Sequence, residues 1–159
     1  MAKNNEHVLE LTTIFETVEF PDAYKISYLA NAIVIPTYED IRKDFGLVRA
    51  EYHLLLGLAH YAELTAQDIS RMTRRPRNSI SRAVHRMLER GFIKRAVDSE
   101  NRRQAKLSIT LKGRKIYQKI SKYLVQREQV VLDILSENEL EKLRDILRKL
   151  ASHAAGLKR

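Results

Sequence analysis

The chain has 159 residues, 44% of them hydrophobic, with 29 Lys and Arg against 20 Asp and Glu. That length supports one compact cored domain, not two large independent ones, and the apolar content argues against disorder away from the ends. Cysteine is absent, which excludes disulfides, thiolate metal sites, cysteine nucleophiles and thiol redox switches together.

The first residues, MAKNNEHVLEL, carry no apolar signal core, and no run approaches the roughly 18 apolar residues of a membrane span. A cytoplasmic protein without a membrane partner is expected. Residues 1–20 predict a short helix, ended by Pro21. Asp22 to about Asp44 follows as a longer helix, with Tyr24, Ile26, Tyr28, Leu29 and Ile33 apolar on more than one side, as burial against a second subunit requires. Pro36 is expected to kink or divide it, since proline removes one helical hydrogen bond. After Gly46, the pattern from Val48 to about Tyr61 is a helix with Tyr52, Leu55, Leu56 and Ala59 as its core stripe. Thr65 with Asp68 three residues later is a capping pattern opening a short helix, Ala66–Met72.

From Pro76 to Arg90, Ile80, Val84, Met87 and Leu88 recur at i, i+4, i+7 and i+8, one face of a helix. Arg75, Asn78, Arg82, His85 and Arg86 fall on the opposite face. Pro76 suits the first helical turn, and Gly91 suits the left-handed residue that closes a helix. Phe92–Ile93 and Leu107–Ile109 predict two strands, joined by the polar stretch Asp98–Gln104. Helix, turn, helix, strand, basic loop and strand together make a winged helix-turn-helix. Thr110 to about Leu135 is one long helix. Ser136 with Glu139 is a second capping pattern, starting a helix with Leu140, Leu143, Ile146, Leu147 and Leu150 at three- and four-residue spacing. The tail from Ser152 is expected to fray.

The fold expected is therefore mainly α with a small β-wing. N-terminal helices (1–46) and C-terminal helices (111–159) form a dimerisation layer around a winged helix-turn-helix lobe (47–110), one compact domain in all. A small winged helix does not need such long flanking helices for its own core, so their apolar stripes point to a homodimer.

Charge locates the partner. Residues 71–106 hold 12 basic side chains against three acids (Glu89, Asp98, Glu100), and the rest of the chain balances to zero. Charge focused in one segment is the footprint expected for a polyanion, here double-stranded DNA. In a major groove, Arg pairs best with guanine and Asn with adenine. Arg82, Asn78 and His85 have the chemistry and the face to read bases. Ser79, Ser81, Arg77 and Arg86 suit phosphates, which fix register without carrying sequence information. Arg75 shares the basic face, and the wing arginines Arg102 and Arg103 suit a narrow minor groove.

The order of elements resembles the MarR family of bacterial transcription regulators. Residues 64–93, LTAQDISRMTRRPRNSISRAVHRMLERGFI, resemble the family's helix-turn-helix, including the pair Ser81–Arg82 and the segment LERGFI. Residues 97–110, VDSENRRQAKLSIT, resemble its wing, with Asp98 and Arg103 matching by spacing and Asn101 standing where a second acid is usual. Residues 110–117, TLKGRKIY, resemble the Leu-Thr-x-x-Gly start of the next helix, with Thr110 and Leu111 in changed order. The resemblance implies a dimeric repressor on a palindromic operator, released by a small aromatic or anionic effector. In relatives that ligand sits between the dimer layer and the DNA lobe. Tyr24, Ser27, Asn31, Tyr52 and His53 stand on the segments that would line this cleft.

No cofactor is implied. His53 and His60 lie two helical turns apart on one face, but no third ligand completes a metal set. No Gly-rich phosphate loop, HExxH or nucleophile motif is present, so an enzyme is not expected. The competing possibility is a DNA-organising winged-helix protein that has no effector.

Overall fold

The computed structural model describes residues 13–96 and 105–157. In chain order these form α1 (Ile14–Thr17), α2 (Pro21–Phe45), α3 (Arg49–His60), β1 (Leu64–Thr65), α4 (Ala66–Thr73), α5 (Arg77–Glu89), β2 (Ile93–Ala96), β3 (Lys106–Ile109), α6 (Leu111–Leu132) and α7 (Glu137–Gly156). The molecule is mostly helical with one small antiparallel sheet of order β1-β3-β2, which is the winged helix-turn-helix architecture. Pairing Ile93 with Ile109 and Ala96 with Lys106 sets the wing register, and Leu64 pairs with Leu107 on the other side of β3. The two-residue β1 was not evident from the sequence; two residues are too few to show an alternating pattern.

The chain divides into two compact units, residues 1–124 and 125–159, so the division runs through α6. In the first unit, Leu47, Leu54, Leu55, Leu58, Ile69, Ile80, Met87 and Leu107 are fully or almost fully buried in one core. Ile41 from α2 and Ile120 from α6 complete it. On α3 the stripe is wider than expected: Leu54 and Leu58 are buried with Tyr52 and Leu55, whereas Leu56 and Ala59 are half-buried. In the second unit α7 buries no residue, and Ile146, Leu147 and Leu150 are about half exposed.

The punctuation follows local chemistry. Thr65 and Asp68 exchange hydrogen bonds at the start of α4: the Asp68 N–H donates to Thr65 Oγ1 (3.1 Å), and the Thr65 N–H donates to Asp68 Oδ2 (3.0 Å). Ser136 and Glu139 repeat this box at α7. Helix α5 ends with Gly91 at φ +67°, its N–H on Leu88 O and the Phe92 N–H on Met87 O. That pair of bonds satisfies the last carbonyls and turns Phe92 inward.

Three local expectations are corrected. Pro36 does not divide α2, which runs 25 residues through it. Thr37 Oγ1 donates to the Ile33 carbonyl there (2.5 Å), a side-chain bond beside the proline. Pro76 stands just before α5 with an extended ψ of 140°, not within its first turn. The tail does not fray at Ser152, because α7 continues to Gly156. At α6, Thr110 itself takes the capping position, with its Oγ1 accepting the Gly113 N–H (3.0 Å). Ile109 therefore precedes the threonine, and the apparent change of order disappears. Gly113 is required there: a Cβ would stand 2.0 Å from the Phe92 carbonyl oxygen.

Candidate nucleic-acid interface

Helix α5 is a presented surface. Ile80, Ala83 and Met87 are fully buried, which fixes one face against the core. The other face then exposes Arg77, Asn78, Ser81, Arg82, His85 and Arg86, with no acid before Glu89 at the helix end. Ser79 is half-buried, and its N–H donates to Asn78 Oδ1 (2.8 Å). The structure thus brings together six of the residues expected from sequence on one exposed strip. His85 and Ser81 also border a groove of about 370 Å³, together with Val84, Leu88, Arg95 and Leu107. Arg95 was missed because a single basic residue in a four-residue strand carries no pattern.

Arg86 is not a free surface cation. Its Nε donates to Glu51 Oε1 (2.5 Å), and Glu51 is only 2% exposed. The other oxygen of Glu51 accepts the Val48 N–H (2.8 Å), closing the first turn of α3. This clasp between α3 and α5 was not read from the sequence, since Val48 gives no capping side chain to point to Glu51.

Arg75 departs from the strip. It lies in the turn between α4 and α5, where its carbonyl accepts from Ser70 Oγ (2.6 Å), and its charge acts on a different cluster. That cluster joins Tyr38 of α2 with Arg49, Tyr52 and His53 of α3. Tyr38 Oη lies 3.3 Å from His53 Nε2, the Arg49 guanidinium sits 5.1 Å over the Tyr38 ring, and the Tyr38 and Tyr52 rings meet edge-on at 5.8 Å. Burial, then the charges of Arg75 and Arg49, push the His53 pKa down to about 4. Burial likewise raises the Tyr38 and Tyr52 phenols above their ordinary value. Arg75 is itself lowered, first by desolvation and then by Arg49. Two like charges gathered on neutral aromatic groups favour an anion.

Of the five residues expected to line a ligand cleft, the chain brings only Tyr52 and His53 together. Tyr24 packs on Phe15 (5.9 Å) near the start of α2. It lies about 21 Å along the axis from Tyr38, given 1.5 Å per residue. Ser27 and Asn31 are exposed between them. Tyr38 and Arg49 are the residues that gather with Tyr52 and His53; Tyr38 carried no signal in the sequence because it follows a proline expected to break its helix. The wing arginines Arg102 and Arg103, with Asp98 and Asn101, lie outside the described residues. His60 is bonded to Tyr117 (2.9 Å) and His53 to Tyr38, and among the described residues no three metal-ligating side chains gather. No described helix is long and apolar enough to cross a membrane.

Comparison with known proteins gives this geometry its context. A profile of the MarR family matches residues 45–104. The uncharacterized HTH-type transcriptional regulator YybA of Bacillus subtilis is 25% identical over 108 residues, 68% of this chain and 72% of that protein. The structure of the transcriptional regulator SlyA superposes with a TM-score of 0.74 at 26% identity, covering 84% of this chain and 93% of that one. The S. aureus MepR–DNA complex shares the fold, with a TM-score of 0.71 at 23% identity over 85% of this chain and 99% of MepR.

Proposed function

We propose that the chain is a DNA-binding transcription regulator of the MarR family, whose profile matches residues 45–104 and whose member SlyA it resembles in fold, and that it is a homodimeric repressor of a palindromic operator, released by a small anionic ligand. The observation that carries the reading is the acid-free strip of α5. Arg82, Asn78 and His85 read base edges there, while Arg77, Ser79, Ser81 and Arg86 meet phosphates. MepR, which shares the fold, is solved with DNA. Of the two arginines of the wing sequence, Arg103 is assigned to the minor groove and Arg102 to a phosphate.

Dimerisation is supported by apolar surface that each unit leaves open. Ile26, Tyr28, Leu29 and Ile35 on α2 are each about half exposed, as are Ile146, Leu147 and Leu150 on α7. A second copy would cover them and place two α5 helices for half-sites about one helical turn apart, roughly 34–36 Å. The ligand site is the Tyr38–Arg49–Tyr52–His53–Arg75 cluster, whose two guanidinium groups favour an anion and whose rings favour a flat one. Such a ligand releases DNA only if it binds the DNA-incompetent conformation more tightly.

The test is selection of duplex DNA from a random pool, followed by footprinting. One short imperfect palindrome is expected, with affinity falling steeply as salt rises. Even protection of unrelated sequences would instead indicate a DNA-organising protein without an effector. His53→Ala should shift the ligand concentration that releases DNA and leave ligand-free affinity nearly unchanged. Loss of both would assign His53 to packing.

A further inference from the structure

Arg86 has chemistry left over after its ion pair. Nε is committed to Glu51, while the side chain remains 50% exposed and, among the described residues, its two terminal NH2 groups meet no partner. The partner carboxylate is fixed at both oxygens, one on Arg86 and the other on the Val48 N–H. A carboxylate so held cannot turn, so the guanidinium plane it grips cannot turn either. Helix α5 does not depend on this contact for its seat. Ile80, Ala83 and Met87 are buried beneath it, and Arg90 at its end donates to the carbonyls of Phe45 (2.8 Å) and Gly46 (3.0 Å). What Glu51 adds is the orientation of one exposed cation on the DNA-facing strip.

We propose that Glu51 is a positioning residue for DNA binding, which holds the Arg86 guanidinium from beneath so that its free NH2 pair is aimed at a phosphate. A planar fork presented rigidly to a phosphate loses little freedom on binding, whereas an unheld arginine must be ordered at that moment. The acid at this DNA-binding surface is therefore buried beneath it and serves it. The inference rests on the reading that α5 enters the DNA groove.

The experiment is a double-mutant cycle, read by fluorescence anisotropy on a 30-bp random-sequence duplex at several salt concentrations. Glutamine keeps the shape of Glu51 without its charge and replaces Arg86 by a shorter neutral side chain, and the double variant leaves no unpaired buried charge. Arg86→Gln should weaken binding about tenfold and reduce the salt slope by about one contact. Glu51→Gln should weaken it about fivefold with the slope intact, since the phosphate contact remains but is less well held. The double variant should bind no worse than Arg86→Gln alone. Should Glu51→Gln fail to fold, Arg86→Lys carries the test: charge kept and fork lost, it should show an intact slope and about fivefold weaker binding. Losses that multiply in the double variant would overturn the proposal. So would wild-type affinity of Glu51→Gln or Arg86→Lys, or an unchanged slope in Arg86→Gln. A wild-type protein that does not bind the duplex would overturn the groove reading and this inference together.

Discussion

Helices α5 and α7 are both amphipathic, with apolar residues at three- and four-residue spacing, yet they meet that apolar requirement differently. In α5 the residues Ile80, Ala83 and Met87 vanish completely into the core of a single chain. In α7 five apolar residues recur at the same spacing, and none is buried. The DNA lobe is thus self-sufficient: its core closes with one copy, and its basic face is free to meet DNA. The C-terminal helix keeps an open stripe, which is why a second copy of the chain is the occupant proposed for it. Amphipathic pattern shows that a face will be buried; it does not say in which molecule.

Core substitutions should separate the two helices most strongly. Ile80→Ala should cost the lobe roughly 2–5 kcal/mol, the range for emptying a closed core site. Leu150→Ala should leave the lobe's stability within about 0.5 kcal/mol and weaken self-association, seen as a concentration-dependent melting temperature and a smaller species in sedimentation. Equal destabilisation by both, independent of concentration, would mean that α7 is an ordinary intrachain element. Gly113→Ala tests the lobe's other boundary: a Cβ pressed on the Phe92 carbonyl should cost roughly 3 kcal/mol, because backbone cannot step aside. An unchanged melting temperature would contradict the seating of α6 against the wing.

A smaller effect is expected at the cap of α4, the helix on which α5 packs. Thr65→Ala should cost about 1 kcal/mol. The Thr65 hydroxyl, then its N–H, holds the Asp68 carboxyl below its ordinary value. A depressed carboxyl contributes stability above the unfolded pKa and loses it as pH falls through the folded value, so the gap between wild type and Thr65→Ala should narrow in acid.

Much of this was legible in the sequence, and the failures have identifiable causes. The spacing of Ile80, Val84 and Met87, the closing Gly91 and the two capping boxes placed the helices that matter, because each depends on contacts within a turn or two. Pro36 misled: its penalty is local, whereas Thr37 and Ile41 beyond it in α2 are buried, Ile41 in the core shared with α3, α4 and α5. The acid-free strip of α5 was legible because helical geometry alone puts those residues on one side. Glu51, Tyr38 and Arg49 were not, since their roles come from partners as far as 35 residues along the chain. Arg75 was assigned to the groove face by angle, but it sits in the turn, outside the helix, where the angular rule does not apply.

A pH dependence separates the cluster around Tyr38 from the DNA strip. His53 is pushed down to about 4 by burial and by Arg75 and Arg49. A histidine lowered on folding contributes stability above the unfolded value near 6.5 and loses it as pH falls toward 4. His53→Gln should therefore flatten the loss of stability between pH 6.5 and 4, measured by denaturant titration, while leaving salt-dependent DNA binding at pH 7 intact. An unchanged acid limb would show that His53 is not held neutral by this cluster.

Whether α5 reads bases is decided by comparing Arg82→Ala on the selected palindrome and on random duplex at one salt concentration. If Arg82 reads a base edge, the variant should lose about 1–3 kcal/mol on the palindrome and far less on random DNA. Equal loss on both would show that Arg82 only holds a phosphate, and the strip would then be a basic handle without sequence information.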